Sequence, residues 1–270
     1  MLLPIRLVEK PWGIDFLPEP FNYLPDRRIG EIWFEPPLAV RTLLVKYIFA
    51  TEALSVQVHP SDTQTISQGI GRQGKEECWL IIAAQPGARL GIGFDSYVDP
   101  QIMRAAALDG SIETMLTWHE VAAGDFFYIP ANTVHAIGAG VSLIEVQQNS
   151  DITYRLYDYG RPRELHLDAA VEVACGHPYD LERWRKFIAP DSSLSLVDGP
   201  LFKLDQIAGR PSDDLIESYA DPVLIIPRSG DVIIDGHIIR PGQCAVANRL
   251  SDIDIKSPDT VFLAAKSYAG

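Results

Sequence analysis

Residues 54–59, Leu-Ser-Val-Gln-Val-His, alternate apolar and polar side chains without a break. Successive side chains of a strand point to opposite faces. The spacing therefore predicts a strand with Leu54, Val56 and Val58 on one face and Ser55, Gln57 and His59 on the other. Three polar groups at period two form a concentrated stripe, which Pro60 ends. Apolar or alternating runs at 45–50, 77–84, 125–129 and 141–147 predict further strands, as do those at 223–226, 231–234, 238–239 and 261–264. Asp235-Gly236 between two Ile-rich runs predicts a hairpin, since a type I′ turn needs positive φ at both central positions. Helical signals are fewer. Asp99-Pro100 opens one helix and Gly110 ends it; a second is predicted over 112–118. A third runs from Asp168 to Cys175 with Gly176 as its stop, and 179–186 reads as a fourth or as a linker. The pattern predicts an all-β chain with a few short helices. A larger β unit over residues 1–185 carries a helical insertion near 99–118, and a smaller β unit spans 186–270.

Composition narrows the function classes. The chain has 270 residues, enough for a sizeable core, with the apolar and charged fractions of an ordinary globular protein. Its 23 basic and 36 acidic residues give a net charge of −13. That balance argues against nucleic-acid or anionic-membrane partners, because phosphate surfaces are met by basic ones. A small phosphorylated ligand, which needs only one or two local cations, stays open. The apolar runs are too short to span a bilayer, and MLLPIRLVEKPW lacks a long apolar h-region. Three widely spaced cysteines, Cys78, Cys175 and Cys244, fit reduced thiols. A cytoplasmic location is the expectation; the oligomeric state is not legible.

The polar stripe has companions. In Gly74-Lys75-Glu76-Glu77-Cys78-Trp79, a strand would put Lys75, Glu77 and Trp79 on one face. Buried, the cation and carboxylate are costly without partners. Alone, the cluster reads as a solvated strand entrance. His135, after the Pro130-Ala131-Asn132 turn, reads alone as a core histidine. Downstream, Glu145, Gln147 and Asn149 alternate on one face, and Arg155 and Arg161 follow within a tyrosine-rich stretch. Taken together, two histidines, a glutamate and a glutamine from separate strands form a mixed N/O donor set. It suits Zn²⁺ and also Fe²⁺, Mn²⁺ or Co²⁺, and leaves open positions, as a catalytic site does. Asp62 and Asp125 read as turn and helix-start residues, and Trp12, Trp33 and Trp79 as core. His119, His166, His177 and His237 lack comparable company.

The segments Glu9-Lys10-Pro11-Trp12-Gly13, Gly30-Glu31-Ile32-Trp33, residues 54–60, 74–79, 124–138 and 150–159 resemble, in order, those of the type I mannose-6-phosphate isomerases, zinc enzymes of the cupin class. The short bacterial branch is the best match, and the resemblance runs from about residue 9 to 175. It implies a cupin (jelly-roll) barrel carrying the metal site, followed by a smaller C-terminal β domain, a degenerate second cupin. It implies one Zn²⁺ per chain held by Gln57, His59, Glu77 and His135. Arg155 matches the family's active-site arginine, and Lys75 the lysine two residues before the ligand glutamate. Ser55 matches a serine thought to help receive the phosphate, and Glu145 a glutamate proposed as acid or base. The implied activity is interconversion of mannose 6-phosphate and fructose 6-phosphate by proton transfer through a cis-enediol. Ile14 stands where the family usually has a second glycine, and the C-terminal unit is shorter than usual. Two other readings compete: another metal-dependent cupin, such as an Fe²⁺ oxygenase, and a non-catalytic sugar-binding cupin.

Overall fold

The computed structural model describes residues 1–268. Its backbone is mostly strand with a few short helices, as the periodicity predicts. Seven antiparallel strands form one sheet in the order Ile5–Ile14, Ile29–Phe34, Leu43–Ala50, Val141–Gln148, Glu77–Ala84, Asp125–Ile129 and Arg185–Phe187. Five form a second sheet in the order Tyr154–Tyr157, Val56–Val58, His135–Ile137, Arg89–Phe94 and Leu116–Glu120. The two sheets are hydrogen-bonded separately and share an apolar cluster between them; they do not close into one continuous barrel among the described residues.

The seven-stranded sheet has an apolar cluster on each face, which is why its central strands read as unbroken apolar runs. Trp79, Ile81, Phe127, Ile129, Ile48 and Leu143 pack between the two sheets with Leu90, Ile92 and Ile137. The alternate residues Cys78, Leu80, Phe126, Tyr128, Tyr47, Phe49, Ile144 and Val146 form another cluster on the reverse face, where Phe202, Leu204, Leu224 and Leu263 of the C-terminal region meet them. The polar residues Lys46, Glu77, Glu145 and Gln147 belong by the same period-two register to the inner face. The five-stranded sheet is likewise covered on its back. There Val56, Val58, Phe94 and Ala136 pack under the helices Pro100–Asp109 and Leu167–Val173. Val56 and Val58 thus turn away from the site, and Gln57 between them turns toward it.

The C-terminal region holds a five-stranded sheet, in the order Leu194–Asp198, Phe202–Ala208, Val261–Ser267, Val223–Ser229 and Ala245–Ala247, and a three-stranded one. Alternation repeats here. Leu263 and Ala265 face the N-terminal sheet, whereas Phe262 and Ala264 pack with Ile225, Val232 and Ile234. The predicted Asp235-Gly236 turn is present, with φ of 50° and 78°, joining Val232–Ile234 to His237–Ile239.

Several predicted elements shift. The run 54–59 forms a strand only over Val56–Val58, so Leu54 leaves the alternation and joins the cluster between the sheets. The helix predicted over 112–118 stops at Met115, because Leu116–Glu120 pairs with Arg89–Phe94. Asp168 lies in the first turn of Leu167–Val173, with His166 at the cap position; its carboxylate pairs with Arg104 instead. In 179–186 only Leu181–Trp184 is helical, capped by Asp180. The strand Arg185–Phe187 then joins the first sheet, so that sheet continues past residue 185. The helix start read at Asp62 is present as the helix Asp62–Ser67, whose capping box joins Ser61 and Gln64.

Candidate metal centre

Three strand ends bring the chemistry together. Gln57 sits mid-strand on Val56–Val58 and pairs in register with His135, the first residue of His135–Ile137. His59 follows the same strand, and Glu77 opens Glu77–Ala84 on the facing sheet. His59, Glu77 and His135 each offer a ligand atom, and these atoms lie within 4.8 Å of one another. His135 Nε2 is 3.3 Å from Glu77 Oε1, and His59 Nε2 is 3.6 Å from Glu77 Oε2. The Gln57 amide group lies 3.3 Å from His135 Nε2. Since amide O and N exchange by a flip, either can face the site. Both imidazoles are oriented from behind. His59 Nδ1 lies 2.8 Å from the Ile152 carbonyl and His135 Nδ1 2.9 Å from that of Thr133. With Nδ1–H donating to those carbonyls, each Nε2 lone pair is left for the site, the arrangement that fixes metal-bound histidines.

Burial and charge point the same way. His59, Glu77 and His135 are all buried. Burial holds both imidazoles below the ordinary histidine range, for His59 with help from the Lys75 ammonium, so both are neutral and able to coordinate. For Glu77, burial raises the carboxyl, but Lys75 and His135 outweigh it and the net shift is downward. Both Glu77 oxygens are buried; Oε2 is met by Lys75 Nζ at 2.5 Å, and Oε1 has no hydrogen-bond donor among the described residues. A fully buried carboxylate with unused lone pairs, facing two unprotonated Nε2 atoms, fits a divalent metal. Lys75 is itself buried, which overturns its reading as a solvated strand entrance. Desolvation would lower its ammonium, but Glu77 and Glu145 prevail and raise it, so it stays charged. It also approaches His59 Nε2 at 3.1 Å.

Beside this cluster opens a cavity of about 320 Å³, lined by Ser55, Gln57, Lys75, Glu145, Arg155 and His166 among others. Glu145 is buried and fully engaged: Lys46 Nζ is 2.9 Å from Oε2, and Trp79 donates its indole N–H to Oε1 at 3.1 Å. Trp79 is thus core, as expected, and also a donor. Arg155, on Tyr154–Tyr157, pairs in register with Gln57 and brings a buried Nε with no hydrogen-bond partner. Ser55 lies at the cavity wall and donates to Gln57 Oε1 at 3.3 Å. All eight residues singled out from the sequence therefore meet at one place. Asn149 does not; it lies beyond the strand end and bonds the Arg41 carbonyl. Asp62 and Asp125 are structural. Asp62 Oδ1 accepts from the Gly74 N–H and the Gln148 amide, and Asp125 Oδ2 accepts from the Ala122 N–H.

Sequence reasoning missed Lys46, Arg163 and His166. Lys46 hides in the apolar run Leu43–Ala50, where a lone lysine was itself the signal: a buried strand tolerates one only with partners. Here they are Glu145, Gln147 and the Trp33 ring, 4.5 Å from the ammonium. His166 has neighbours distant in sequence; its Nδ1 accepts from the Arg155 backbone N–H at 3.2 Å.

No protein-family model matches the chain. Among curated proteins, a mannose-6-phosphate isomerase from Streptococcus mutans is 39% identical over 180 residues, 64% of this chain and 56% of the relative. The mannose-6-phosphate isomerase ManA of Bacillus subtilis is 44% identical over 137 residues, 48% of this chain and 43% of the relative. The chain spans about half the length of these curated relatives. Fold likeness reaches further. A crystal structure of a mannose 6-phosphate isomerase from Bacillus subtilis superposes with a TM-score of 0.80, covering 98% of both chains at 25% identity. A phosphomannose isomerase from Salmonella typhimurium gives 0.72 at 12% identity, a likeness of fold alone. The resemblance carried by the motifs is thus present both in aligned sequence and in fold.

Proposed function

We propose that this chain, kin in sequence and fold to mannose-6-phosphate isomerases, is itself a metal-dependent aldose–ketose isomerase that interconverts mannose 6-phosphate and fructose 6-phosphate. The observation that carries the reading is the convergence of His59, Glu77 and His135 beside a cavity rich in charged side chains. In this reading Gln57, His59, Glu77 and His135 hold one Zn²⁺, which suits a mixed N/O set. When bound, the ion supplies Lewis-acid polarisation of the substrate oxygens where charge develops. The chain's own residues do the rest. Arg155 presents a guanidinium whose buried Nε has no other partner, fit to receive that charge or to clamp the sugar. Proton transfer between adjacent carbons through a cis-enediol needs a base. Glu145 is a buried carboxylate at the cavity wall, held in place by Lys46 and Trp79, and in this reading it moves the proton. Lys75, the ion partner of Glu77, lines the cavity and serves in this reading as a cation toward the phosphate with Ser55. We further propose that the strands from Leu194–Asp198 to Val261–Ser267, beginning after the strand Arg185–Phe187 rather than at residue 186, form a smaller, cupin-like unit without ligands that braces the sheet bearing Glu77, and that the enzyme works in the cytoplasm.

The deciding experiment is elemental analysis of the purified protein with a coupled isomerase assay. About one zinc per chain is expected. A chelator should abolish turnover of mannose 6-phosphate, and added Zn²⁺ should restore it. Oxygen consumption without isomerisation would favour an Fe²⁺ oxygenase; stabilisation by the sugar without turnover would favour a binding protein. Lys75→Met should raise KM for mannose 6-phosphate by about tenfold or more, with kcat less affected, since a charge-assisted contact to phosphate is lost. Steady-state kinetics with metal content measured in parallel checks this, and a fall confined to kcat would assign Lys75 to proton transfer.

A further inference from the structure

The mouth of the cavity carries more positive charge than the metal centre uses. Lys10, Lys46, Lys75, Arg155 and Arg163 line the cavity, against Glu31, Glu145 and Asp151, in a chain whose net charge is −13. Of the five cations, Lys46 is spent on Glu145 and Lys10 on Glu31, at 2.9 and 3.1 Å. Arg155 and Arg163 have no carboxylate of the cavity wall within ion-pair distance among the described residues. Arg163 is held from behind. Asp158, buried to 2% exposure, accepts from Arg163 Nε and from Nη2, each at 2.6 Å. This two-point hold fixes the plane of the guanidinium and leaves Nη1 without a carboxylate. Asp158 also accepts from Arg161 at 3.2 Å, and Arg161 is tied further to Glu52 at 3.0 Å. Asp158 thus answers Arg163 and Glu52 answers Arg161, which leaves Arg155 as the cavity cation without an ion pair among the described residues.

The loop between is shaped to deliver Arg163. Asp158 closes a turn by accepting the Arg161 N–H on its backbone carbonyl at 3.0 Å. Tyr159 and Gly160 inside it both have positive φ, 54° and 74°. His166 then zips the returning chain to the strand of Arg155, its N–H donating to the Arg155 carbonyl at 2.8 Å while its Nδ1 accepts the Arg155 N–H. Arg155 and Arg163 line one cavity, and Arg155 is lowered from the usual arginine value, first by burial and then by Arg163, while Asp158, Asp151 and Glu164 act to raise it. Two guanidiniums on one cavity wall, one of them without an ion pair among the described residues, suit a doubly charged anion.

We propose that Arg163, oriented by Asp158, pairs with Arg155 as a twin-guanidinium clamp for the phosphate of the sugar, with Asp158 a positioning residue that never touches substrate. The clamp deepens the isomerase reading and rests on it for its substrate, though a phosphate dianion alone suffices to probe it. A dianion between two planar forks receives parallel N–H···O bonds, and its charge removes their repulsion.

The test uses the whole chain loaded with metal. Arg163→Gln should raise KM for mannose 6-phosphate about 10- to 100-fold, leave kcat within about threefold, and weaken inhibition by inorganic phosphate by the same factor. Arg163→Lys, which keeps the charge but loses the fork, should fall between. Asp158→Asn should reproduce the KM effect of Arg163→Gln, and the double variant should be no worse than either single one. Equal KM and phosphate inhibition in wild type and Arg163→Gln, with thermal melting unchanged, would overturn the clamp. A loss of melting temperature in Asp158→Asn without any change in KM would remove its positioning role. If the wild type turns over no phosphosugar, the isomerase reading fails by itself. Calorimetric titration of inorganic phosphate into wild type and Arg163→Gln then decides the clamp, which stands if binding is lost in the variant and falls if both bind alike.

Discussion

His135→Ala should lose bound metal and isomerase activity together. The imidazole is fully buried, its Nδ1 side is anchored to the Thr133 carbonyl, and its Nε2 is 3.3 Å from the Glu77 carboxylate. Alanine removes a nitrogen donor and leaves Glu77 with Lys75 and His59 as its only charged or ionisable neighbours at ion-pair distance among the described residues. Metal content should drop from about one per chain toward zero. The loss of Lewis-acid stabilisation, several kcal/mol, corresponds to a fall on the order of 10³-fold or more in kcat/KM. Inductively coupled plasma spectrometry and the coupled assay, run on the same preparation, read the two effects. A variant that keeps its metal yet loses activity would recast His135 as a substrate contact. One that loses metal yet turns over at the wild-type rate would detach the metal from the chemistry.

Arg155→Ala should do the opposite on the first readout: metal and fold stay while turnover collapses. Arg155 is paired to Gln57 only through backbone register, and its guanidinium donates to no ligand residue. Its buried Nε has no hydrogen-bond partner, so removal leaves no other buried group stranded and melting should change little. Loss of half the phosphate clamp should raise KM for mannose 6-phosphate, and if the guanidinium also meets charge that develops on the substrate oxygens, kcat should fall about 10²- to 10³-fold, the size seen when one such donor is removed. Arg155→Lys should recover part of that by keeping the charge without the fork. Unchanged kcat in Arg155→Ala would take the residue out of the chemical step. The two variants together separate the parts of the site, one holding the ion and the other meeting the sugar.

How far the sequence discloses this site follows from periodicity. Gln57 and His59 were legible because an alternating strand announces its polar face, and because the back of that strand is covered by helices, leaving valines at 56 and 58. Lys75 and Glu77 were ambiguous for a physical reason: at a strand entrance, solvated and buried carboxylates look alike until the facing strands are known. Lys46 is obscured by the doubly covered sheet, where apolar residues occupy both faces and the alternation that marks a site disappears. Arg163 escaped because a loop residue's position depends on what ties the loop down, here Asp158 and His166. Leu116–Glu120 was misread as helix since its strand partner, Arg89–Phe94, interrupts its own pattern with Gly91 and Gly93 and gave no signal.

The central strands of the sheet that bears Glu77 and Glu145 are covered by apolar clusters on both faces. Cys78 and Val146, next to those residues along their strands, press against the same apolar layer as Leu224 and Leu263 from the far end of the chain. The wall that carries the two carboxylates is therefore a shared partition, with the cavity on one side and apolar residues of the C-terminal strands on the other. A repacking substitution at Leu263 would reach the carboxylates through their footing, from the side opposite the cavity.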